Sequence, residues 1–156
     1  MTQSKEIWRK ASILAIAGGA AFWVANFAIS LTPIGAEYRA ALSISYIPML
    51  LEALVGGLII GFCVSYFLLR FLGKGPTKNP ILKSVVLSFV VQTIVTTLIE
   101  VPAKFFTATS GALRYFFIGT IFNAIRILAL GTVVGYAYKR LYKGFNRSAM
   151  ASQPAK

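Results

Sequence analysis

The chain has 156 residues, of which 57% are hydrophobic and only 13% charged, where a soluble domain carries about 25% charged residues. So little polar surface excludes an ordinary water-soluble globule and requires lipid in its place. The net charge of +12 would suit a nucleic-acid binder, but the cations gather at the ends of apolar stretches. That distribution points to retention at a cytoplasmic face and to anionic lipids as partners, with no nucleic acid.

Residues 1–10 are polar and include Lys5, Arg9 and Lys10. The apolar run that follows, over 11–31, exceeds the core of about 7–15 residues typical of a secretory signal. It is taken as a first span. Pro33 and Gly35 interrupt it, and the short segment Ala36 to Ser43, with Glu37 and Arg39, is placed to act as a lid or an entrance. A second span is expected over 45–69, with Pro48 in its first turn, where a missing N–H is harmless.

The linker from Arg70 to Pro80 is cationic and rich in turn formers. A third span over 81–101 ends just before Pro102. An outer loop carries Lys104, and a fourth span covers 113–138. The basic segment from Lys139 to Lys143 follows, and the small polar residues 148–156 are expected to be a disordered cytoplasmic tail. One transmembrane domain over 1–147 results: an all-α, polytopic four-helix bundle. Lys and Arg concentrate at the N-terminus, the central linker and the C-terminus, so both termini are expected inside (N-in, C-in). The expected location is a prokaryotic cell inner membrane.

Four spans in this order make two helical hairpins of the same orientation. An offset of 74 positions, without a gap, places Gly57 on Gly131, Gly61 on Gly135, Glu52 on Arg126, Asn26 on Glu100 and Arg9 on Lys83. Two readings follow. The hairpins are parallel repeats about an axis along the membrane normal, or the matches reflect the generic likeness of apolar spans.

An ionised side chain in the middle of a span costs about 2.5–3.5 kcal/mol on insertion scales, so polar residues inside spans mark either packing or function. Glu52 and Arg126 would lie at similar depth, and an ion pair between them is expected, either to fix helix register or to serve a solute. Glu52 shares a helix face with Ser45, Gly56, Cys63 and Tyr66. On the third span Thr93, Thr96, Thr97 and Glu100 follow an i, i+3, i+4, i+7 pattern beside Gln92. The stripe either lines a hydrated path or bonds back to its own helix. Asn26 and Asn123 add polar groups at compatible depth. The candidate solute or ion pathway is therefore Asn26, Glu52, Gln92, Thr93, Thr96, Thr97, Glu100, Asn123 and Arg126. Gly57 with Gly61, and Gly131 with Gly135, have the small-residue spacing that lets helices approach closely. They are expected to be packing seams within the bundle or between two copies.

Histidine and aspartate are absent, Cys63 is the lone cysteine, and Glu6, Glu37, Glu52 and Glu100 are the only carboxylates in the sequence. No metal site, cofactor or catalytic arrangement is expected, and the protein is not expected to be an enzyme. Four spans are few for a complete pathway, so a homo-oligomer, or association with another membrane protein, is expected; in size and layout the chain is similar to small four-span exporters. The favoured function is a small transporter or channel for a small polar or charged solute. The alternative is a non-catalytic membrane subunit, scaffold or assembly factor packed against other transmembrane helices.

Overall fold

The computed structural model describes residues 3–71, 79–100 and 111–151. They form α1 (Gln3–Ser30), a short α2 (Pro33–Ala41), α3 (Tyr46–Phe71), α4 (Pro80–Val95) continued by a π-helical turn (Thr96–Glu100), and α5 (Ala112–Ala151). Within them, Lys5–Ser30, Tyr46–Phe71, Pro80–Leu98 and Leu113–Tyr142 are each long and apolar enough to cross a membrane. A helix of 26 residues extends about 39 Å at 1.5 Å per residue, against about 30 Å of hydrocarbon. The protein is an all-helical, multi-pass membrane protein. Helix α5 continues to Ala151, past the boundary expected at 148. Residues 152–156, the linker residues 72–78, Lys104 and the side chain of Glu100 lie outside the described residues.

Two helix starts follow from local chemistry. Thr32 caps α2, its Oγ1 accepting from Gly35 N–H at 3.0 Å, and Pro33 opens the helix where no N–H is needed. Asn79 caps α4 in the same manner, its Oδ1 accepting from Ile81 N–H at 3.0 Å before Pro80 sets the first turn. The outward surface is apolar. Ile16, Val24, Leu51, Val55, Ile59, Val86, Val90, Ile94, Ile121, Ile125 and Leu128 are all exposed, as lipid-facing side chains must be when the bilayer is the solvent.

The helices pack in a ring, α1–α3–α4–α5, with α3 and α5 across one diagonal and α1 and α4 across the other. Both glycine pairs are seams inside the chain. A Cβ at Gly57 would stand 3.1 Å from Phe22 Cβ and 3.2 Å from Gly19 O, and one at Gly61 would stand 3.0 Å from Ala15 O. In the second hairpin a Cβ at Gly131 would lie 2.8 Å from Val85 Cα and from Ser88 Oγ, and one at Gly135 would lie 2.5 Å from Ile81 Cα. Each hairpin therefore closes backbone to backbone along its own glycine pair.

These contacts correct the gapless offset. Gly57 to Gly131 and Gly61 to Gly135 are 74 residues apart, but the residues they meet, Ala15 and Ile81, Gly19 and Val85, Phe22 and Ser88, are 66 apart. The second hairpin has eight more residues (74 − 66) between its seams than the first. The pairings of Asn26 with Glu100 and of Arg9 with Lys83 therefore fall. In the register of the contacts, Asn26 corresponds to Gln92, and Glu52 still corresponds to Arg126.

Ring order agrees with this pairing. Exchanging α1 with α4 and α3 with α5 maps the α1–α5 contact onto the α4–α3 contact. The agreement is not complete, because α1 lies close against α5 while α4 and α3 pack more loosely. Gly18 gives α1 its close approach to α5: a Cβ there would stand 2.5 Å from Val134 Cγ2.

Candidate functional site

In the half of the bundle nearer α2, the helices enclose an open cavity of about 320 Å³. Every helix contributes to its wall. Polar groups come from Asn26 and Ser30 on α1, Arg39 on α2, Glu52 on α3, Gln92 on α4, and Asn123 and Arg126 on α5. Phe22, Tyr38, Ile60 and Phe122 are among the apolar residues between them.

Asn26 is 1% exposed, and its amide nitrogen is buried without a hydrogen-bond partner. In a low-dielectric interior an unsatisfied donor costs about 1–3 kcal/mol, so this group stands out in the wall. Arg126 lies at the depth of Phe22, with its guanidinium carbon 6.0 Å from the Phe22 ring centroid. Its Nη1 donates to Asn123 Oδ1 at 3.2 Å. Gln92 is buried and donates from Nε2 to Thr96 Oγ1 at 3.0 Å. Glu52 is exposed along the open side.

The expected ion pair between Glu52 and Arg126 is not made. Ion pairs closer than 4.0 Å join Lys10 to Glu6 and Arg114 to Glu37 among the described residues, and Glu52 with Arg126 is not one of them. The physical reason is the ring. Helices α3 and α5 lie across one diagonal of the ring and touch less closely than the two helices of either hairpin.

The threonine stripe does not line the main cavity. Thr93, Thr96 and Thr97 line a second, smaller cavity of about 180 Å³ between α4 and α5, with Thr120 and Ala124 opposite. Gln92 and Asn123 line both cavities and stand between them. Thr93 donates to Phe89 O at 2.8 Å, and Thr120 donates to Phe116 O at 2.9 Å. These are the back-bonds that hydroxyls make to their own helix in an apolar setting. The π-helical turn from Thr96 also changes the helical count on which the i+7 position of Glu100 depended.

Among the wall residues of the main cavity outside the expected pathway set are Arg39, Tyr38 and Gly56. Arg39 and Tyr38 reach it because α2 folds back over the mouth. Arg39 Nη1 donates to Ser30 O at 2.7 Å, and its guanidinium lies 5.0 Å from the Tyr46 ring centroid, tying the ends of α1 and α3 together. Tyr38 packs edge-on to Phe122 at 5.5 Å. The one available signal was a cation in a loop that the charge rule otherwise leaves sparse. The third is Gly56, on the Glu52 face: a Cβ there would meet nothing within 4 Å. Cys63 and Tyr66, on the same sequence face, do not line the cavity.

Groups of three or more potential metal ligands are absent among the described residues. No protein-family model, curated protein or solved structure matches the chain.

Proposed function

We propose that this protein is a small membrane carrier or channel for a small polar or charged solute, and that the cavity near α2 is where the solute sits. One observation carries this reading. Within four apolar spans, the acid Glu52, the base Arg126 and the amides Asn26, Gln92 and Asn123 all line one open cavity. Intramembrane ionisable groups are costly, and those that persist mark pathways or pairs. The subunit reading loses its main support, because the seam glycines pack within the chain rather than offering faces to another protein. In the proposed orientation both termini face the cytoplasm, anionic lipids meet the basic ends, and α2 lies at the outer surface.

Proteoliposomes containing the purified protein alone test the proposal. They are assayed for flux of inorganic cations, inorganic anions and amino acids against empty vesicles. Gly56→Phe, which fills the cavity from a position with open space around it, is assayed beside the wild type. The proposal expects flux of at least one class, reduced at least tenfold in Gly56→Phe while the variant remains monodisperse. Absence of flux for every class, or equal flux in the plugged variant, contradicts it.

A further inference from the structure

We infer that the cavity binds a small carboxylate, held between the Arg39 guanidinium at its mouth and the Asn26 amide in its wall. This rests on the reading of the cavity as the solute position and adds the chemical class of the solute.

Arg39 supplies the charge. It lines the cavity and is half-buried, and its protein partners are neutral. Its Nη1 donates to Ser30 O at 2.7 Å, and its guanidinium lies 5.0 Å from the Tyr46 ring centroid. Among the described residues no carboxylate lies within 4.0 Å of it. Glu37, two positions earlier on α2, is paired with Arg114. Glu52, the acid among the lining residues, is exposed. A guanidinium has five N–H donors, and one of these goes to Ser30. Its planar fork matches a carboxylate with two parallel hydrogen bonds.

The second, independent observation is Asn26. Its amide nitrogen is buried with no hydrogen-bond partner, and the residue is 1% exposed. Ser30, on which Arg39 is docked, follows Asn26 by one turn of α1, and both line the cavity. A cation and an unsatisfied donor therefore belong to neighbouring turns of one wall. An amide nitrogen can only donate, so the group it lacks is an acceptor. A carboxylate oxygen is one, whereas an ammonium or a metal ion is not.

The two groups also set the charge of the solute. A cationic solute would be repelled by Arg39. A neutral one would displace water from Arg39 and leave its charge without a counterion in a partly apolar setting, which is costly. The size agrees. The cavity of about 320 Å³ has room for roughly ten waters at about 30 Å³ each, which accommodates a short-chain carboxylate with part of its hydration.

The test is equilibrium binding to the purified, detergent-solubilised full-length protein, so that failure of transport and failure of this inference are distinct results. Three probe series are compared: acetate, propanoate and butanoate; their primary amides, which keep the shape and lose the charge; and primary alkylamines of the same lengths. At least one carboxylate is expected to bind the wild type tenfold or more tightly than both its amide and its amine, a comparison that needs no variant. Asn26→Leu is expected to weaken carboxylate binding at least tenfold. Arg39→Gln is expected to abolish the preference for carboxylate over amide, and Arg39→Lys, which keeps the charge, to retain it. Melts of each variant without ligand confirm that it is folded. Failure of every carboxylate to bind, equal binding of an amide or an amine, or unchanged carboxylate binding in folded Asn26→Leu overturns the inference. Flux of another solute class without carboxylate binding would overturn it while leaving transport intact.

Discussion

The two hairpins close in the same way and differ in what they present to the cavity. In each, a glycine pair on the second helix seats against the backbone of the first, Gly57 and Gly61 against α1, Gly131 and Gly135 against α4. In each, an amide stands on the first helix at the same level, Asn26 or Gln92. The second helices diverge, with Glu52 on α3 and Arg126 on α5. Packing positions are thus matched while charges are opposed, which teaches that the seams and the cavity answer to separate demands. Seam positions are fixed by how closely backbones must approach. On the proposed function, the charged positions are set by what the cavity is to hold.

The largest way to break this comparison is at the seams. Gly135→Ala puts a Cβ 2.5 Å from Ile81 Cα and 2.9 Å from Pro80 O, and backbone atoms cannot swing aside as side chains do. A loss of about 1–3 kcal/mol is expected, as for overpacked cores. Gly61→Ala, 3.0 Å from Ala15 O, should cost less, and Gly56→Ala, with nothing within 4 Å, close to nothing. Unfolding in mixed micelles ranks the three. A reversed order would mean that the hairpins are not held by these seams.

The amide pair sharpens the comparison next. Gln92 has Thr96 as a partner, whereas the Asn26 nitrogen has none. Asn26→Leu removes an unsatisfied buried donor and should raise the stability of the solute-free protein by about 1 kcal/mol while weakening solute binding. A purely structural Asn26 would lose stability on the same change. Thermal melts with and without a carboxylate probe separate the two outcomes.

Glu52→Gln, on the open side of the cavity, should shift stability by no more than about 0.5 kcal/mol, so that any lost binding reflects the site and not the fold. The smallest effect is expected at the α2–α5 ion pair. Glu37 and Arg114 meet at 2.7 Å, but their side chains are 44% and 64% exposed. Arg114→Ala should change stability by no more than about 0.5 kcal/mol, and high salt should abolish even that difference.

Much of the fold was legible in the sequence, because hydropathy over some twenty residues is a strong physical signal. The four spans and the break at Pro33 could be read directly. The hairpin register could not. A gapless offset treats the connections as equal, and only the seam contacts reveal the eight-residue difference. Nor could the separation of Glu52 from Arg126 be read, since it depends on which helices are diagonal in the ring. Arg39 and Tyr38 entered the wall through the fold-back of α2, a tertiary event with no periodicity of its own. The threonines were legible as a stripe, but their cavity lies beside the main one because of where α5 packs.

The central claim is that the cavity is a hydrated solute position inside the membrane rather than a lipid-filled crevice. Cysteine accessibility tests it most directly. In a Cys63→Ala background, Gly56→Cys in the cavity wall and Ile59→Cys on the exposed apolar surface are reconstituted in vesicles and treated with a membrane-impermeant cationic thiol reagent. Modification of position 56, slowed by a bound carboxylate, with position 59 inert, is the predicted result. Inertness of position 56, or equal modification of both positions, would contradict it.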